Sequence, residues 1–255
     1  GLKSGKLKPD TPVTMSETAW CRGGKDGDSC MFVPLNAKAS LIDMLRGVVI
    51  HSGNDASKAL AEHIGGSEAG FVTMMNAEAA KLGMTRTRFE NAAGLPHPNH
   101  KASARDLAVL AQAIIRNSAE YYPMYAEREF TYNGIKQGNR NALLYTDPSV
   151  DGLKTGHTEE AGYCLTTSAK RNGMRLISVI MNAGSMQARA DQTRVLLNWG
   201  FANFEQATPA QAGATLATAK LLYGVAPEVA AGVAQPWMLV VPKGQGAAVK
   251  TAVVL

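Results

Sequence analysis

Two strand-like runs joined by a tight turn constrain the fold of this chain more than any other feature. The runs cover residues 163–169 and 174–181, and Arg171-Asn172-Gly173 joins them. Asn-Gly between two such runs is a strong hairpin signal, because both residues tolerate the positive φ that the turn needs. Upstream of residue 120 the apolar spacing is helical instead. The sequence therefore predicts an α/β (α+β) fold, with a mostly antiparallel sheet flanked by helices.

Apolar residues at helical spacing predict three helices in the first half of the chain. The first covers residues 40–51 and ends at the turn Ser52-Gly53-Asn54-Asp55. The second covers residues 56–64, and Ser67 can cap the third, which ends near Gly83. The third helix carries an apolar stripe that we place in the core, consisting of Phe71, Met74, Met75 and Ala79.

Further elements are predicted downstream of a loop over residues 86–104. Ser103, with Asp106 three positions later, is typical of a capped helix start, so we interpret Asp106 as part of a helix cap rather than an acid catalyst. Residues 127–132 alternate like a strand and lead into an Asn133-Gly134 turn. A helix is predicted over residues 187–199.

The composition changes near residue 205, which predicts two domains, 1–204 and 205–255. The second is rich in Ala, Gly and Pro and carries short strand-like runs, as in a small β domain. About fifty residues are too few to close a β sandwich well. We therefore expect the start of a β domain, truncated at an apolar strand over residues 252–255.

Two short motifs carry the chemistry. Lys154-Thr155-Gly156 directly precedes the predicted hairpin, and Ser52-Gly53-Asn54 occupies the turn between two helices about a hundred residues upstream. The sequence contains no serine that is followed by a lysine three positions later. Each motif has a structural alternative: Ser52 as a helix cap, Asn54 as a turn residue, and Lys154 as a solvated lysine at a strand start.

The motifs and their flanks resemble the low-molecular-mass penicillin-binding proteins, serine-type D-alanyl-D-alanine carboxypeptidases of the peptidase S11 kind. The resemblance covers about residues 2–204 closely. The flanking matches are Ser103-Ala104-Arg105-Asp106, Asn139-Arg140-Asn141, Asp151-Gly152-Leu153 and Ala161-Gly162-Tyr163. The resemblance implies a penicillin-binding/β-lactamase-like domain that trims peptidoglycan stem peptides through a serine acyl-enzyme.

The same resemblance implies a role for each motif residue. Ser52 would relay a proton to the leaving amine, Asn54 would orient the substrate amide and a lysine, and Lys154 would supply positive charge. The implied substrate-binding residues are Thr155 through its hydroxyl, Gly156 through its bare backbone, His157 through its backbone N–H in an oxyanion hole, and Arg189 through a pairing with the substrate carboxylate. Arg189 as a surface helix residue is the alternative.

In the family, an S-x-x-K motif holds the nucleophile and its lysine. By the family's spacing, these two residues would fall just before residue 1, and we expect the chain by itself to be inactive. A C-terminal membrane anchor would likewise be absent. No metal or organic cofactor is implied.

The cysteines and histidines fit structural roles. Cys21 and Cys30 bracket a loop-like stretch and predict a disulfide in an oxidising compartment, with two unpaired thiols as the alternative. Cys164 lies in an apolar run and predicts a buried core thiol. We interpret the remaining candidates as structural or solvent-facing, without metal-ligand spacing: His51, His97 and His100.

The resemblance implies a periplasmic protein that takes part in cell-wall synthesis and cell shape. Its partners would be a pentapeptide ending in D-Ala-D-Ala and β-lactams, with membrane contact only through the anchor. The net charge of +5 is scattered along the chain, which does not indicate nucleic-acid binding. A non-catalytic peptide-binding relative remains an alternative. A class A β-lactamase relative is a weaker one, because no E-x-x-L-N-like stretch lies between the motifs.

Overall fold

The computed structural model describes Leu2, residues 5–22 and residues 28–252. The chain divides into two compact units, one of Gly1–Ala169 with Ile177–Val195 and the other of Lys170–Leu176 with Leu196–Leu255. The predicted boundary at residue 205 stays a prediction. The predicted terminal strand at residues 252–255 lies almost entirely outside the described residues. No described helix combines the length and the apolar character that crossing a membrane requires.

The first unit begins with two short antiparallel strands, β1 (Pro12–Thr14) and β2 (Lys38–Ser40). Helix α1 (Leu41–Arg46) follows, where the Ser40 hydroxyl accepts the backbone N–H of Asp43 at 3.1 Å. The helix then widens into one π-helical turn, Gly47–His51, before α2 (Asn54–Gly65). Buried side chains between these elements form a core that includes Val13, Met15, Met31, Leu41, Met44 and Leu60.

Helix α3 (Glu68–Lys81) confirms the predicted third helix and its Ser67 cap, but not its predicted core stripe. Among the described side chains of α3, Ala79 alone is buried, and Met74 is 48% exposed. The reason is that α3 packs through its first turn, where Gly65 and Gly70 let the α2 and α3 backbones approach closely. Phe71 and Met75 are half-buried rather than part of the core.

A long loop leads to α4 (Ala104–Asn117), which the Ser103 hydroxyl caps by accepting the N–H of Asp106 at 3.2 Å. The Asp106 carboxylate accepts hydrogen bonds from the backbone of Arg86 at 2.9 Å and the hydroxyl of Thr87 at 2.7 Å. The Thr87 hydrogen bond is the main reason that the pKa of Asp106 is lowered. Asp106 therefore ties the preceding loop to the helix start, a structural role.

Small elements connect α4 to the central sheet. They are a 3-10 turn (Tyr122–Ala126), β3 (Glu129–Tyr132), β4 (Ile135–Gly138) and the short α5 (Leu143–Thr146). Strands β3 and β4 pair antiparallel around Asn133-Gly134, which has the positive φ values of 49° and 72° that the sequence predicts for this turn.

The central sheet contains β5 (Val150–Thr158), β6 (Gly162–Arg171) and β7 (Met174–Ala183) in that order. The predicted β6–β7 hairpin is confirmed, with φ of 49° at Asn172 and 86° at Gly173. The Lys154 motif precedes this hairpin, as predicted, and lies within a further strand, β5, which pairs antiparallel with β6. Helix α6 (Met186–Asn203) follows the sheet.

Four strands among the described residues lie wholly within the second unit. Strand β8 (Phe204–Ala210) pairs antiparallel with β11 (Trp237–Pro242), and β9 (Thr215–Lys220) pairs antiparallel with β10 (Glu228–Gly232). A 3-10 turn at Gly246–Ala248 follows. Short strands therefore occur in this part of the chain, and the β domain over residues 205–255 stays a prediction.

Candidate active site

A cleft of about 730 Å³ opens in the first unit, and both sequence motifs face it. Its walls come from the Ser52 turn, strand β5, the loop over residues 91–95, and residues 28–32, which we call the strap. Every residue predicted to act in catalysis or substrate binding lines this cleft: Ser52, Asn54, Lys154, Thr155, Gly156, His157 and Arg189. The sequence therefore predicted one shared location for side chains that lie far apart along the chain.

The end of the first helix presents Ser52 to the cleft. The π-helical turn ends at Ser52, which has φ 57° and ψ 36°, and the backbone N–H of Gly53 then bonds the carbonyl of Gly47 at 3.0 Å. A Cβ at Gly53 would lie 2.9 Å from the Asp55 carboxylate and 3.0 Å from the Met31 nitrogen. The central residue of the S-x-N motif is therefore glycine because the turn is pressed against the strap.

Lys154 joins the two motifs. Its ammonium group donates to the Ser52 hydroxyl at 2.5 Å and to the Thr155 carbonyl at 2.7 Å. Burial, together with the nearby charges of Arg140 and Arg189, lowers the pKa of Lys154 from 10.5 to about 8. The alternative of a solvated lysine at a strand start is wrong, since Lys154 lies in the middle of β5 with its ammonium largely enclosed.

Strand β5 forms one wall of the cleft as the edge strand of its sheet. Thr155 lies opposite Leu165, Gly156 opposite Cys164, and His157 opposite Tyr163. The His157 ring stacks on Tyr163 with a centroid distance of 4.0 Å, so its imidazole has a packing partner. The described strands pair with β5 on one side only, which leaves backbone groups on the other side for an extended ligand.

Arg189 projects from α6 into the protein rather than into solvent. It is 5% exposed, and its guanidinium donates to the carbonyls of Cys164 at 3.2 Å and of Gly156 and Arg140 at 3.4 Å. Burial lowers its pKa. The alternative of a surface helix residue is therefore wrong, while the pairing of Arg189 with a substrate carboxylate stays a prediction.

Asn54 is held by the strap. Its side-chain amide donates to the Asp28 carboxylate at 3.2 Å, and its backbone N–H donates to the Ser29 carbonyl at 2.7 Å. Asn54 is also the first residue of α2, so the orientation of its amide depends on both the helix start and the strap.

Sequence reasoning missed several residues of the cleft. Arg140 donates to the Ser29 hydroxyl at 2.7 Å and is the second cause of the lowered pKa of Lys154. The Asn139-Arg140-Asn141 triplet resembles the family, but the resemblance assigns no role to Arg140. The remaining walls had no motif that could reveal them: the strap, the loop over residues 91–95, and the side chains of Met75 and Phe89.

The predicted core position of Cys164 is wrong. The residue is half-buried, lines the cleft, and has its sulfur 3.4 Å from the carbonyl of Ala161. The cause is the edge position of β5, which leaves the start of β6 close to the cleft opening. Cys21 and Cys30 are joined by a disulfide across a loop that lies partly outside the described residues.

The histidines have structural partners or face solvent. His51 is buried, its Nε2 is 2.9 Å from the carbonyl of Phe130, and its Nδ1 is 3.3 Å from the Gln137 amide. Burial lowers the pKa of His51. His97 is exposed, while His100 is half-buried at the cleft with its Nδ1 accepting the N–H of Glu90 at 3.3 Å. Across the described part of the chain, no three metal-binding side chains come together as a metal site.

A family model for peptidase S11, the D-alanyl-D-alanine carboxypeptidases, matches residues 1–185. The chain belongs to this family. The D-alanyl-D-alanine carboxypeptidase DacA of Haemophilus influenzae is 44% identical over 98% of this family member. DacC of Escherichia coli is 41% identical over 96% of it. The chain spans 64% and 62% of the lengths of these two relatives.

Solved structures agree with the family assignment. Penicillin binding protein 5 from Haemophilus influenzae superposes with a TM-score of 0.87 at 43% identity, covering 96% of this carboxypeptidase-family chain and 72% of that protein. Penicillin binding protein 6B from Escherichia coli superposes with a TM-score of 0.82 at 40% identity, covering 96% and 72%. These similarities confirm the resemblance and the fold class that the sequence predicts.

Proposed function

We propose that the chain forms the substrate cleft of a serine D-alanyl-D-alanine carboxypeptidase that acts on peptidoglycan stem peptides through an acyl-enzyme and is acylated by β-lactams. The observation that carries the proposal is the hydrogen bond of 2.5 Å between Lys154 and Ser52. It brings two short motifs, each weak alone, into one polar cluster at the base of a cleft.

The polar cluster suits proton transfer during acyl transfer. With a pKa of about 8, Lys154 can exchange a proton near neutral pH more readily than an ordinary lysine. Ser52 accepts the Lys154 hydrogen bond and would pass a proton to the leaving amine of the terminal D-alanine. Asn54, held at the cleft by the strap, would orient the substrate amide.

The cationic character of the cleft suits a substrate with a free carboxylate. Lys154, Arg140 and Arg189 lie close enough to affect one another electrostatically. In our proposal the substrate carboxylate pairs with the Thr155 hydroxyl and lies within the field of these cations. The peptide would extend along the edge of β5, where Gly156 allows close approach and the N–H of His157 completes an oxyanion hole.

The attacking serine is not among the residues of this chain, because its sequence contains no S-x-x-K. The proposal assigns the nucleophile and its lysine to residues ahead of Gly1 in the gene product. It also places the protein in the periplasm, where the Cys21–Cys30 disulfide is stable, with membrane contact confined to an anchor outside this chain.

Intact-mass measurement tests the proposed chemistry directly. The product of the complete gene and the present chain are each exposed to benzylpenicillin. The complete product is expected to gain one penicillin mass, and the present chain none. A Lys154→Ala variant of the complete product should acylate at least about a hundredfold more slowly, while Lys136→Ala, which removes an exposed lysine, should match the wild type.

The second candidate function is non-catalytic binding of peptidoglycan peptides, and the absent S-x-x-K motif favours it. In that case the complete product gains no penicillin mass, yet a peptide ending in D-Ala-D-Ala still shifts the amide resonances of residues 154–157. Failure of both acylation and peptide binding would contradict both candidates.

A further inference from the structure

Asp55 is a buried carboxylate that the proposed chemistry does not use. It is 1% exposed, and it accepts the backbone N–H groups of Met31 at 2.8 Å, Phe32 at 3.0 Å and Ala56 at 2.8 Å. Two of these donors belong to the strap and the third to the first turn of α2. The carboxylate therefore clamps the strap to the start of the helix that carries Asn54.

The strap in turn provides hydrogen-bond partners for the side chain and the backbone N–H of Asn54. The Ser29 carbonyl accepts its backbone N–H at 2.7 Å, and the Asp28 carboxylate accepts its side-chain amide at 3.2 Å. Asp28 and Ser29 also line the cleft beside Asn54. A shift of the strap would therefore change the direction of the Asn54 amide without any change in Asn54 itself.

Further contacts fix each part of the strap. Gln137 donates to the Cys30 carbonyl at 2.9 Å, Arg140 donates to the Ser29 hydroxyl, and the disulfide joins Cys30 to Cys21. The Met31 side chain fills the space beside Gly47, where an added Cβ would lie 2.3 Å from the Met31 sulfur. Hydrogen bonds, a disulfide and a packed side chain thereby hold five consecutive residues that have no helix or strand structure.

We infer that Asp55 and the Cys21–Cys30 disulfide are positioning groups for Asn54, which act on it through the strap. The inference rests on the proposed carboxypeptidase function, since that function gives Asn54 its role at the substrate amide. Removal of the Asp55 carboxylate leaves the N–H groups of Met31 and Phe32 without an acceptor, so the strap shifts towards water. A small displacement of a group that orients the substrate lowers the reaction rate strongly, because the reaction requires a precise arrangement of the reacting atoms.

Graded substitutions at Asp55 test the inference. Asp55→Asn keeps one acceptor oxygen but turns an NH2 group towards an N–H donor, while Asp55→Ala removes every acceptor. In the complete gene product, Asp55→Asn is expected to lower kcat/KM for a peptide ending in D-Ala-D-Ala by about tenfold, and Asp55→Ala by more. The double variant Cys21→Ser/Cys30→Ser should cause a smaller loss in the same direction.

Asp106→Asn is the matched control. Asp106 is 3% exposed and also accepts a backbone N–H and a second donor at a helix start, but these donors belong to Arg86 and Thr87 and not to the strap. Its substitution should reduce thermal stability to a similar extent while kcat/KM stays within about twofold of the wild type. Equal losses of kcat/KM in Asp55→Asn and Asp106→Asn would overturn the inference, since general destabilisation would then explain both.

A double-mutant cycle with Asn54→Ala separates positioning from a merely structural role. If Asp55 acts through Asn54, Asp55→Asn should change kcat/KM by less than about twofold once Asn54 is already alanine. If the losses of the two single variants multiply instead, the inference is wrong.

Hydrogen exchange keeps the inference testable apart from the proposed function. Asp55→Asn should accelerate exchange of the Asn54 and Met31 backbone N–H groups at least tenfold relative to Asp106→Asn. Unchanged exchange overturns the inference whatever the activity. A wild-type product that neither cleaves the peptide nor binds penicillin contradicts the proposed function. The exchange rates then still test whether Asp55 holds the strap in place.

Discussion

At the residue scale, the site contains a group that destabilises the folded state, the enclosed ammonium of Lys154. Lowering its pKa from 10.5 to about 8 means that the folded state binds this proton less tightly than the unfolded chain does. The difference corresponds to a cost of about 3 kcal/mol to the folded state at neutral pH. The Lys154 ammonium therefore destabilises the folded state, as functional groups commonly do.

This cost predicts how stability depends on alkaline pH. Between pH 8 and 10.5 the unfolded chain holds more protons at Lys154 than the folded chain does, so the free energy of unfolding should rise with pH across that window. Lys154→Met should remove the rise and increase stability at pH 7. Urea unfolding of the wild type and Lys154→Met at pH 7, 8.5 and 10 measures the free energy of unfolding of each. Parallel pH profiles of the two proteins would contradict the prediction.

His51 predicts a dependence on acidic pH. Burial is the main cause of its lowered pKa, and it outweighs the favourable effects of the Phe130 carbonyl and Asp55, while Arg140 lowers the pKa further. Because Nε2 must donate to the Phe130 carbonyl, Nδ1 must stay unprotonated to accept the Gln137 amide. Protonation would break this arrangement.

Stability should therefore be lost as pH falls below 6.5 towards the lower folded pKa of His51. Urea unfolding at pH 5 and pH 7 should show a smaller loss for His51→Gln than for the wild type. The exposed His97 provides the control, since His97→Gln should keep the wild-type dependence. A loss in His51→Gln equal to that of the wild type would argue that other groups cause it.

At the element scale, the Ser52 turn shows what sequence patterns can and cannot predict. The helix, the glycine-containing turn and the next helix follow from apolar spacing and capping residues, which are local properties. The π-helical widening at Gly47–His51 does not, and it lies where Met31, from a segment distant in sequence, packs beside Gly47. Strand β5 escaped prediction for a similar reason, since its glycines interrupt the alternation that would identify it.

Gly53→Ala tests the close contact between this turn and the strap. The added methyl group would meet the Asp55 carboxylate and the backbone of Met31 at about 3 Å, so we expect a loss of about 1–3 kcal/mol in unfolding free energy. Gly184→Ala is the control, because its Cβ would meet nothing within 4 Å. Chemical denaturation measures both, and equal stabilities would show that the turn has room to relax.

At the scale of the whole molecule, the sequence predicted the fold class, the order of most elements and the residues that gather at the cleft. The sequence did not predict the segments that form the other walls of the cleft. The strap and the loop over residues 91–95 have no motif that would identify them. The misplaced core stripe of α3 and the exposed side of Cys164 share one cause. Apolar character marks residues that can be buried, while the packing of neighbouring elements decides which ones are.

The disulfide predicts a measurable contribution to overall stability. Cys21 and Cys30 are nine positions apart, and closing such a loop restricts the unfolded chain by about 2.5 kcal/mol at 25 °C. Reduction with a phosphine reagent should lower the free energy of unfolding by about that amount. The double variant Cys21→Ser/Cys30→Ser should have the stability of the reduced wild type, with or without the reductant. If the reductant still lowers the stability of the double variant, the reductant acts on another group.

The hydrogen bond between Lys154 and Ser52 spans 102 positions along the chain. The Ser52 turn lies between helices that are local in sequence, whereas Lys154 lies in β5, which pairs with β6. Local helices form within about a microsecond, while contacts between distant segments form later. During refolding, helical circular dichroism should therefore recover before β5 and the Ser52 turn come together, so that the cleft is completed at a late stage of assembly.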